Sequence, residues 1–419
     1  MTLVKTIKMG HPGSLFSAFL YFDISFMVWV LLGPLALFVT QDLALTSTQK
    51  GFLVAFPLLG GALLRLPMGF LTDYLGPKKS GILGLMLTMI PLLWGWLFAD
   101  TYSQVLMVGL LLGVAGASFA VALPLASRWY PPEHQGMALG IAGAGNSGTV
   151  IAALAAPRIA AIWGWHTVFG LALLPVIMTL VIFMVLAKDS PSQPPPKKLH
   201  SYLEVLKISD CWWFNFFYGI TFGGFVGLAS YLSIFFHDQY GLSKVMAGNM
   251  MALCVFAGSF CRPIGGFLSD RLGGVRVLSI LFVVVSLLMI GVGSLPSLNW
   301  TVFFLFLTLL CLGMGNGSVF QIIPLRFKTE IGMMTGIVGA AGGIGGFFLP
   351  TLFGFLRDST GSFGTGFYAY GGLVFIGFLG LVFIYQRSWQ RRKWLTTRAV
   401  SSQGLSKEGR VSMDVVRGG

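Results

Sequence analysis

The sequence predicts an all-α membrane protein of twelve transmembrane helices, set out as two pseudo-symmetric six-helix bundles. Composition, the spacing of apolar stretches and an internal repeat carry that expectation. Of the 419 residues, 55% are hydrophobic and only 10% charged, with a mean hydropathy of +0.82. A soluble chain has roughly a quarter of its residues charged. Apolar stretches of about 20 residues, enough to cross a ~30 Å hydrocarbon core as helices, fall at 14–38, 48–72, 80–98, 102–124, 135–158, 165–187, 211–236, 246–269, 275–294, 299–323, 333–355 and 363–386. Helices satisfy their own backbone hydrogen bonds within lipid. The short alternating segments of a β-barrel are absent.

The elements follow in order. Lys5 and Lys8 precede the first stretch, which is too long for a signal peptide and has no small-residue cleavage site after it, so it is read as the first span. Spans one to six form a bundle over 1–187. The polar run "KDSPSQPPPKK" marks a cytoplasmic linker over 188–206, rich in proline and lysine. Spans seven to twelve form a second bundle over 207–386, and a basic cytoplasmic tail closes the chain over 387–419.

The net charge is +13, and its distribution decides what it means. With the N-terminus placed in the cytoplasm, 21 of the 27 Lys and Arg fall on that side, among them Lys78, Lys79, Lys197, Lys198, Arg271, Arg276 and the tail from Arg387 to Arg417. Four fall outside (Lys50, Arg158, Lys244, Arg357) and two within the membrane (Arg65, Arg262). That asymmetry is the positive-inside pattern with both termini cytoplasmic. The tail is expected to set topology and touch anionic lipid, not nucleic acid. Cys211, Cys254, Cys261 and Cys311 have no metal-ligand spacing and read as small packing residues.

The halves repeat one another. "GALLRLPMGFLTDYLG" (Gly61–Gly76) aligns with "GSFCRPIGGFLSDRLG" (Gly258–Gly273), with Gly61, Arg65, Gly69, Phe70, Leu71, Asp73, Leu75 and Gly76 each meeting an identical residue 197 positions later. "GMALGIAGAG" and "GMMTGIVGAA", beginning at Gly136 and Gly332, repeat in the same order, as do "LGVAGASFAVALPL" and "LGMGNGSVFQIIPL", beginning at Leu112 and Leu312. A parallel repeat of six-helix halves is the plan of the major facilitator transporters, which bind substrate near the midplane between the halves. "GFLTDYLGPKK" resembles that superfamily's loop after the second span, and "GFLSDRLGGVR" is its echo. Gly69, Asp73 and Gly76, with Gly266, Asp270 and Gly273, are therefore expected to form gating loops.

Arg65 and Arg262 each lie eight residues before the loop aspartate, which is ~12 Å inside the helix end and so near the middle of a ~30 Å core. An arginine there costs about 2.5–3.5 kcal/mol on insertion scales. Pairing with a buried carboxylate is the common resolution, but of 14 acidic residues only Asp23 lies well inside a span. One carboxylate cannot neutralise two guanidiniums. A substrate anion completes the account, since guanidinium offers a planar, permanently charged fork of donors. The glycine-rich runs "GIAGAGNSG" (Gly140–Gly148) and "GIVGAAGGIGG" (Gly336–Gly346) allow close helix packing and imply a narrow site for an anion of three or four atoms.

These glycine runs resemble the two signature segments of the nitrate/nitrite porter family within the major facilitators, and the resemblance spans roughly residues 14 to 386. It implies signature glycines at Gly143, Gly145, Gly148, Gly339, Gly342 and Gly343, substrate arginines at Arg65 and Arg262, and an asparagine contact at Asn146. "GASFAVALP" resembles the fourth-helix segment and implies a substrate-stacking phenylalanine at Phe119. "YGITFGGFVG" resembles the seventh helix and implies a binding tyrosine at Tyr218 and a second phenylalanine at Phe222. Independently of the family, Tyr218 and Phe222 are spaced i, i+4 and share a helix face. Gly342 aligns with Asn146, so that polar contact is not duplicated, and Asn316 and Gln321 are weaker candidates for another.

The implied activity is secondary transport of nitrate and/or nitrite by alternating access, with the anion between the two arginines. Exchange and proton-coupled uptake both fit, and Asp23 is the candidate for proton coupling ahead of His166 and His237. A small-carboxylate (oxalate/formate-like) exchanger and a transporter-derived anion sensor are the alternatives. No nucleophile–base set, metal cluster or phosphate loop points to an enzyme, and no cofactor is expected. The resemblance implies a monomer, and the short loops suit a bacterial inner membrane.

Overall fold

In the computed structural model, residue 7 and residues 9–191, 204–327 and 331–389 are described. The linker stretch 192–203, with Lys197 and Lys198, and the tail residues 390–419 lie outside the described residues.

The described residues contain twelve helical spans long and apolar enough to cross a membrane, from Pro12–Leu43 to Gly364–Trp389. Most extend a few residues beyond the expected limits because local caps hold their ends. Thr46 and Gln49 form a reciprocal capping box on the second span, and Thr101 and Gln104 form one on the fourth. Gly76 and Gly273, aligned in the repeat, end the second and eighth spans at φ of 87° and 90°, a region in which a side chain would be strained.

Three spans are broken helices, where the sequence pattern predicts continuous ones. The first divides into Pro12–Trp29 and Leu32–Leu43. Pro34 has no N–H to return to the Val30 carbonyl, which accepts instead from Gly33 at 2.9 Å. The fourth divides into Tyr102–Gly116 and Phe119–Ser127. There the Ala120 amide turns to Ala117 O at 3.0 Å, which releases the Gly116 carbonyl from the helical ladder. The fifth is Pro132–Gly143, a 3₁₀ turn Ala144–Ser147, then Gly148–Trp163.

Burial separates central from peripheral spans. The first and seventh are almost wholly buried, whereas most of the sixth is at least partly exposed. The third packs on the sixth and the ninth on the twelfth. Their outer faces, with Ile90, Met178, Ile290 and Ile376 exposed, form an apolar surface suited to acyl chains. The halves meet chiefly through the second span on the eleventh, the fifth on the eighth and the first on the seventh. Within each half a matched glycine permits near backbone contact: Gly113 faces Gly60, and Gly313 faces Gly258.

Between described residues, the hydrogen bonds that join the halves lie at the midplane or at the end bearing the loop after the first span. At that end Lys50 Nζ pairs with Asp238 at 2.5 Å, Thr48 Oγ1 donates to Asp358 at 2.6 Å, Arg158 donates to Asn249 at 2.9 Å and Lys244 donates to Gln41. At the opposite end Arg128–Asp73 and Gln321–Asp270 stay within their own halves.

Candidate functional site

Arg65 on the second span is 1% exposed. Its Nε donates to Gly116 O at 3.1 Å, the carbonyl freed by the break in the fourth span. Its Nη1 donates across the halves to Gly339 O. The guanidinium carbon sits 5.1 Å from the Trp29 ring centroid, 5.0 Å from Phe222 and 5.5 Å from Phe119. Each such contact contributes about 0.5–2 kcal/mol against the desolvation of the charge. Nη2 has no hydrogen-bond partner.

Arg262 on the eighth span is half-buried. It lies 5.5 Å from the same Phe119 ring and 5.5 Å from Phe320. Its Nη2 donates to the Tyr218 hydroxyl at 3.4 Å, a long contact, and Nη1 is buried without a partner. Among the described residues neither arginine lies within ion-pair distance of a carboxylate. Tyr218 and Phe222 stack at 5.1 Å with an interplanar angle of 5°, and Phe320 closes edge-on against Tyr218 at 5.0 Å. Two cations, each with an unsatisfied buried donor, thus share one aromatic enclosure. Buried donors without partners are rare in folded proteins, and this arrangement suits a small anion that accepts from both.

The signature glycines fall into two groups. Gly143, Gly339 and Gly342 border the enclosure: a Cβ on Gly143 would lie 3.9 Å from Arg262 Nε, one on Gly339 3.5 Å from Arg65 Nη1, and one on Gly342 2.7 Å from Tyr218. Gly145, Gly148 and Gly343 are sites of helix packing instead. Gly145 and Gly148 meet the backbone of Asp23, and Gly343 meets Ala62. The space that Gly342 leaves is taken by Tyr218 and Phe222, a physical reason why Asn146 has no counterpart there.

Asn146 lies in the 3₁₀ turn, 1% exposed, with both amide atoms unpartnered. Asp23 is 6% exposed and accepts from Ser147 Oγ at 2.6 Å. Of the weaker candidates, Asn316 is fully buried with both amide atoms unpartnered. Gln321 belongs to the loop end instead, donating to Asp270 at 3.1 Å. It stands five residues before the end of its span at Arg326, towards the loop end.

Asp73 pairs with Arg128 at 2.6 Å, and Gly69 and Gly266 lie against the fourth and tenth spans in matched positions. Sequence reasoning missed Trp29 and Phe320. The signal for Trp29 was the repeated Gly61/Gly258 pair: Trp29 fills the space beside Gly61, as Phe225 does beside Gly258.

Comparison with known proteins agrees with this architecture. The family model of the Major Facilitator Superfamily matches residues 17–327. The chain is 32% identical to the nitrite extrusion protein of Bacillus subtilis over 368 residues, covering 88% of this chain and 92% of that protein. It is 36% identical over 341 residues to the probable nitrate/nitrite transporter NarK2 of Mycobacterium tuberculosis, with coverage of 80% and 86%. The probable nitrate transporter NarT of Staphylococcus carnosus is 31% identical, with coverage of 88% and 94%. Among solved structures, a bacterial homologue of the human lysosomal transporter Spinster superposes with a TM-score of 0.65 at 16% identity, covering 90% of this chain and 97% of that one. That last likeness concerns the fold alone. The protein is a multi-pass membrane transporter, not an enzyme, and it belongs to the nitrate/nitrite porter family of the major facilitator superfamily.

Proposed function

We propose that this chain carries nitrate and nitrite across a bacterial inner membrane by alternating access, the anion being held between Arg65 and Arg262. The observation that carries this reading is the shared enclosure: two guanidiniums from matched repeat positions, both on the Phe119 ring, each with a buried N–H lacking a partner. Tyr218, accepting from Arg262, keeps its own O–H to donate to the anion. Asn146 adds a buried amide from the other half. The walls are flat rings, which favour a planar ion over a bulky or tetrahedral one, and the relatives named for nitrate or nitrite support that choice.

With the lysine- and arginine-rich loops facing the cytoplasm, the end joined by Lys50–Asp238 and Thr48–Asp358 is the outer one. The halves then meet on the outer side of the anion. Two like charges repel when brought together, and a bound anion reduces that repulsion, so the loaded carrier switches faster than the unloaded one. That property suits exchange of nitrate for nitrite by a monomer. The test is labelled nitrate uptake into proteoliposomes with and without internal nitrite, crossed with an inward proton gradient. Trans-stimulation by nitrite that ignores the gradient supports exchange, and uptake by vesicles carrying Arg65→Ala equal to wild type contradicts the site.

A further inference from the structure

A carboxylate in the first span, 6% exposed, needs compensation, and Asp23 finds it on the fifth span. Ser147 Oγ donates to Oδ1 at 2.6 Å. Ser147 closes the 3₁₀ turn and Gly148 begins the helix Gly148–Trp163, its amide donating back to the carbonyls of Gly145 and Asn146. The first span approaches so closely here that a Cβ on Gly145 would stand 2.8 Å from the Asp23 amide nitrogen, and one on Gly148 would strike the Asp23 carbonyl.

Asn146 lies between those two contacts, in the turn Ala144–Ser147. Its backbone carbonyl accepts from Ser259 Oγ at 3.3 Å, and Ser259 stands one helical turn before Arg262 on the eighth span. Gly143, one turn before Asn146, looks onto the Arg262 guanidinium. The turn is therefore gripped from behind by Asp23 and faces Arg262 in front. Hydrogen-bond geometry in a 3₁₀ turn is poorer than in an α-helix, so the grip helps to fix where the Asn146 amide sits.

We infer that Asp23 is a positioning residue for the anion site: its carboxylate pins the broken fifth span so that Asn146 is presented beside Arg262. The inference rests on the anion-site reading above and assigns the first-span carboxylate a task other than proton carriage. Its oxygen is engaged by Ser147, and the group it controls belongs to a neighbouring element.

The test is a double-mutant cycle in proteoliposomes, reading KM and maximal rate of nitrite-driven labelled nitrate uptake, with and without a proton gradient. Asp23→Ala is expected to raise KM about tenfold with a smaller change in maximal rate, and Ser147→Ala to raise it in the same sense. Asp23→Asn retains an acceptor oxygen and is expected to recover most of what alanine loses. Asp23→Ala added to Asn146→Ala is expected to raise KM no further than Asn146→Ala alone. Additive effects, or an Asp23→Ala protein that is less thermostable with unchanged KM, would overturn the positioning role. Loss of gradient-driven uptake in Asp23→Asn with exchange intact would overturn it in favour of a proton carrier. If Asp23→Ala does not fold, Ser147→Ala and Asp23→Asn carry the same comparison. Wild-type protein without nitrate uptake would overturn the transport reading and this inference together, an outcome distinct from the others.

Discussion

Arg65 and Arg262, 197 positions apart in the chain, place their guanidinium carbons at the same 5.5 Å from a single ring, that of Phe119. The two differ in how they are held. Arg65 spends Nε and Nη1 on two backbone carbonyls from different halves, whereas the polar contact of Arg262 is with the Tyr218 hydroxyl. Arg65 is thus an anchored cation that ties the halves, and Arg262 the more adaptable one.

Arg65→Lys is therefore expected to be more damaging than Arg262→Lys. A lysine cannot reproduce the planar fork that reaches Gly116 and Gly339 while leaving a donor for the anion. Losing one charge-assisted hydrogen bond costs about 1.5–3 kcal/mol, or about 10–100-fold in nitrate affinity. Comparing KM for the two lysine variants checks this, and equal losses would show that the carbonyl anchors do not matter.

Trp29 offers a test of the enclosure itself. Its indole N–H donates to Pro57 O at 2.6 Å while its face lies on Arg65. Trp29→Phe preserves a ring but loses that hydrogen bond, which typically contributes about 0.5–1.5 kcal/mol. The expected result is a thermal midpoint lower by a few degrees and a several-fold rise in KM. An unchanged KM would place Trp29 outside the machinery.

The two groups of signature glycines should separate under alanine substitution. Gly148→Ala drives a methyl into the Asp23 carbonyl, between two backbones that cannot both give, and is expected to fail in expression or lose several degrees of stability. Gly143→Ala adds a methyl 3.9 Å from Arg262 Nε, an ordinary contact, so the protein should fold and show an altered KM instead. Thermal unfolding beside uptake distinguishes these outcomes.

Much of this was legible in the sequence because membrane insertion forces a simple pattern. Twelve apolar runs are visible without knowing how they pack, and an internal repeat marks matched positions such as Arg65 and Arg262. The three breaks were not legible in the same way. The first depends on which carbonyl Pro34 deprives, and the fourth-span break becomes meaningful only when Arg65 is seen to take Gly116 O. Phe320 was hidden among 37 phenylalanines, since which ring meets which cation is decided by tertiary packing. Gln321 sits near the end of the tenth span in both readings, and the structure shows its amide turned to Asp270.

At the end bearing the loop after the first span, Lys50–Asp238 joins the halves with side chains 13% and 20% exposed. An exposed pair contributes about 0–1 kcal/mol, and partial burial places this one towards the upper limit. Lys50→Ala is expected to shift the conformational balance by up to about fivefold towards opening at that end. The readout is the labelling rate of a cysteine introduced at Ser233, fully buried where the first and seventh spans meet, and the reversed pair Lys50→Asp/Asp238→Lys should restore slow labelling. Unaltered labelling in Lys50→Ala would remove the pair from the gate.

The most direct test of the central claim is equilibrium binding of nitrate and nitrite to purified protein, measured by calorimetry for wild type, Arg65→Ala and Arg262→Ala, with formate as a competing planar anion. The account predicts one saturable site per chain in the wild type, loss of measurable binding in each arginine variant, and weaker binding of formate. Nitrate binding that survives in both variants, or a preference for formate over nitrate and nitrite, would contradict it.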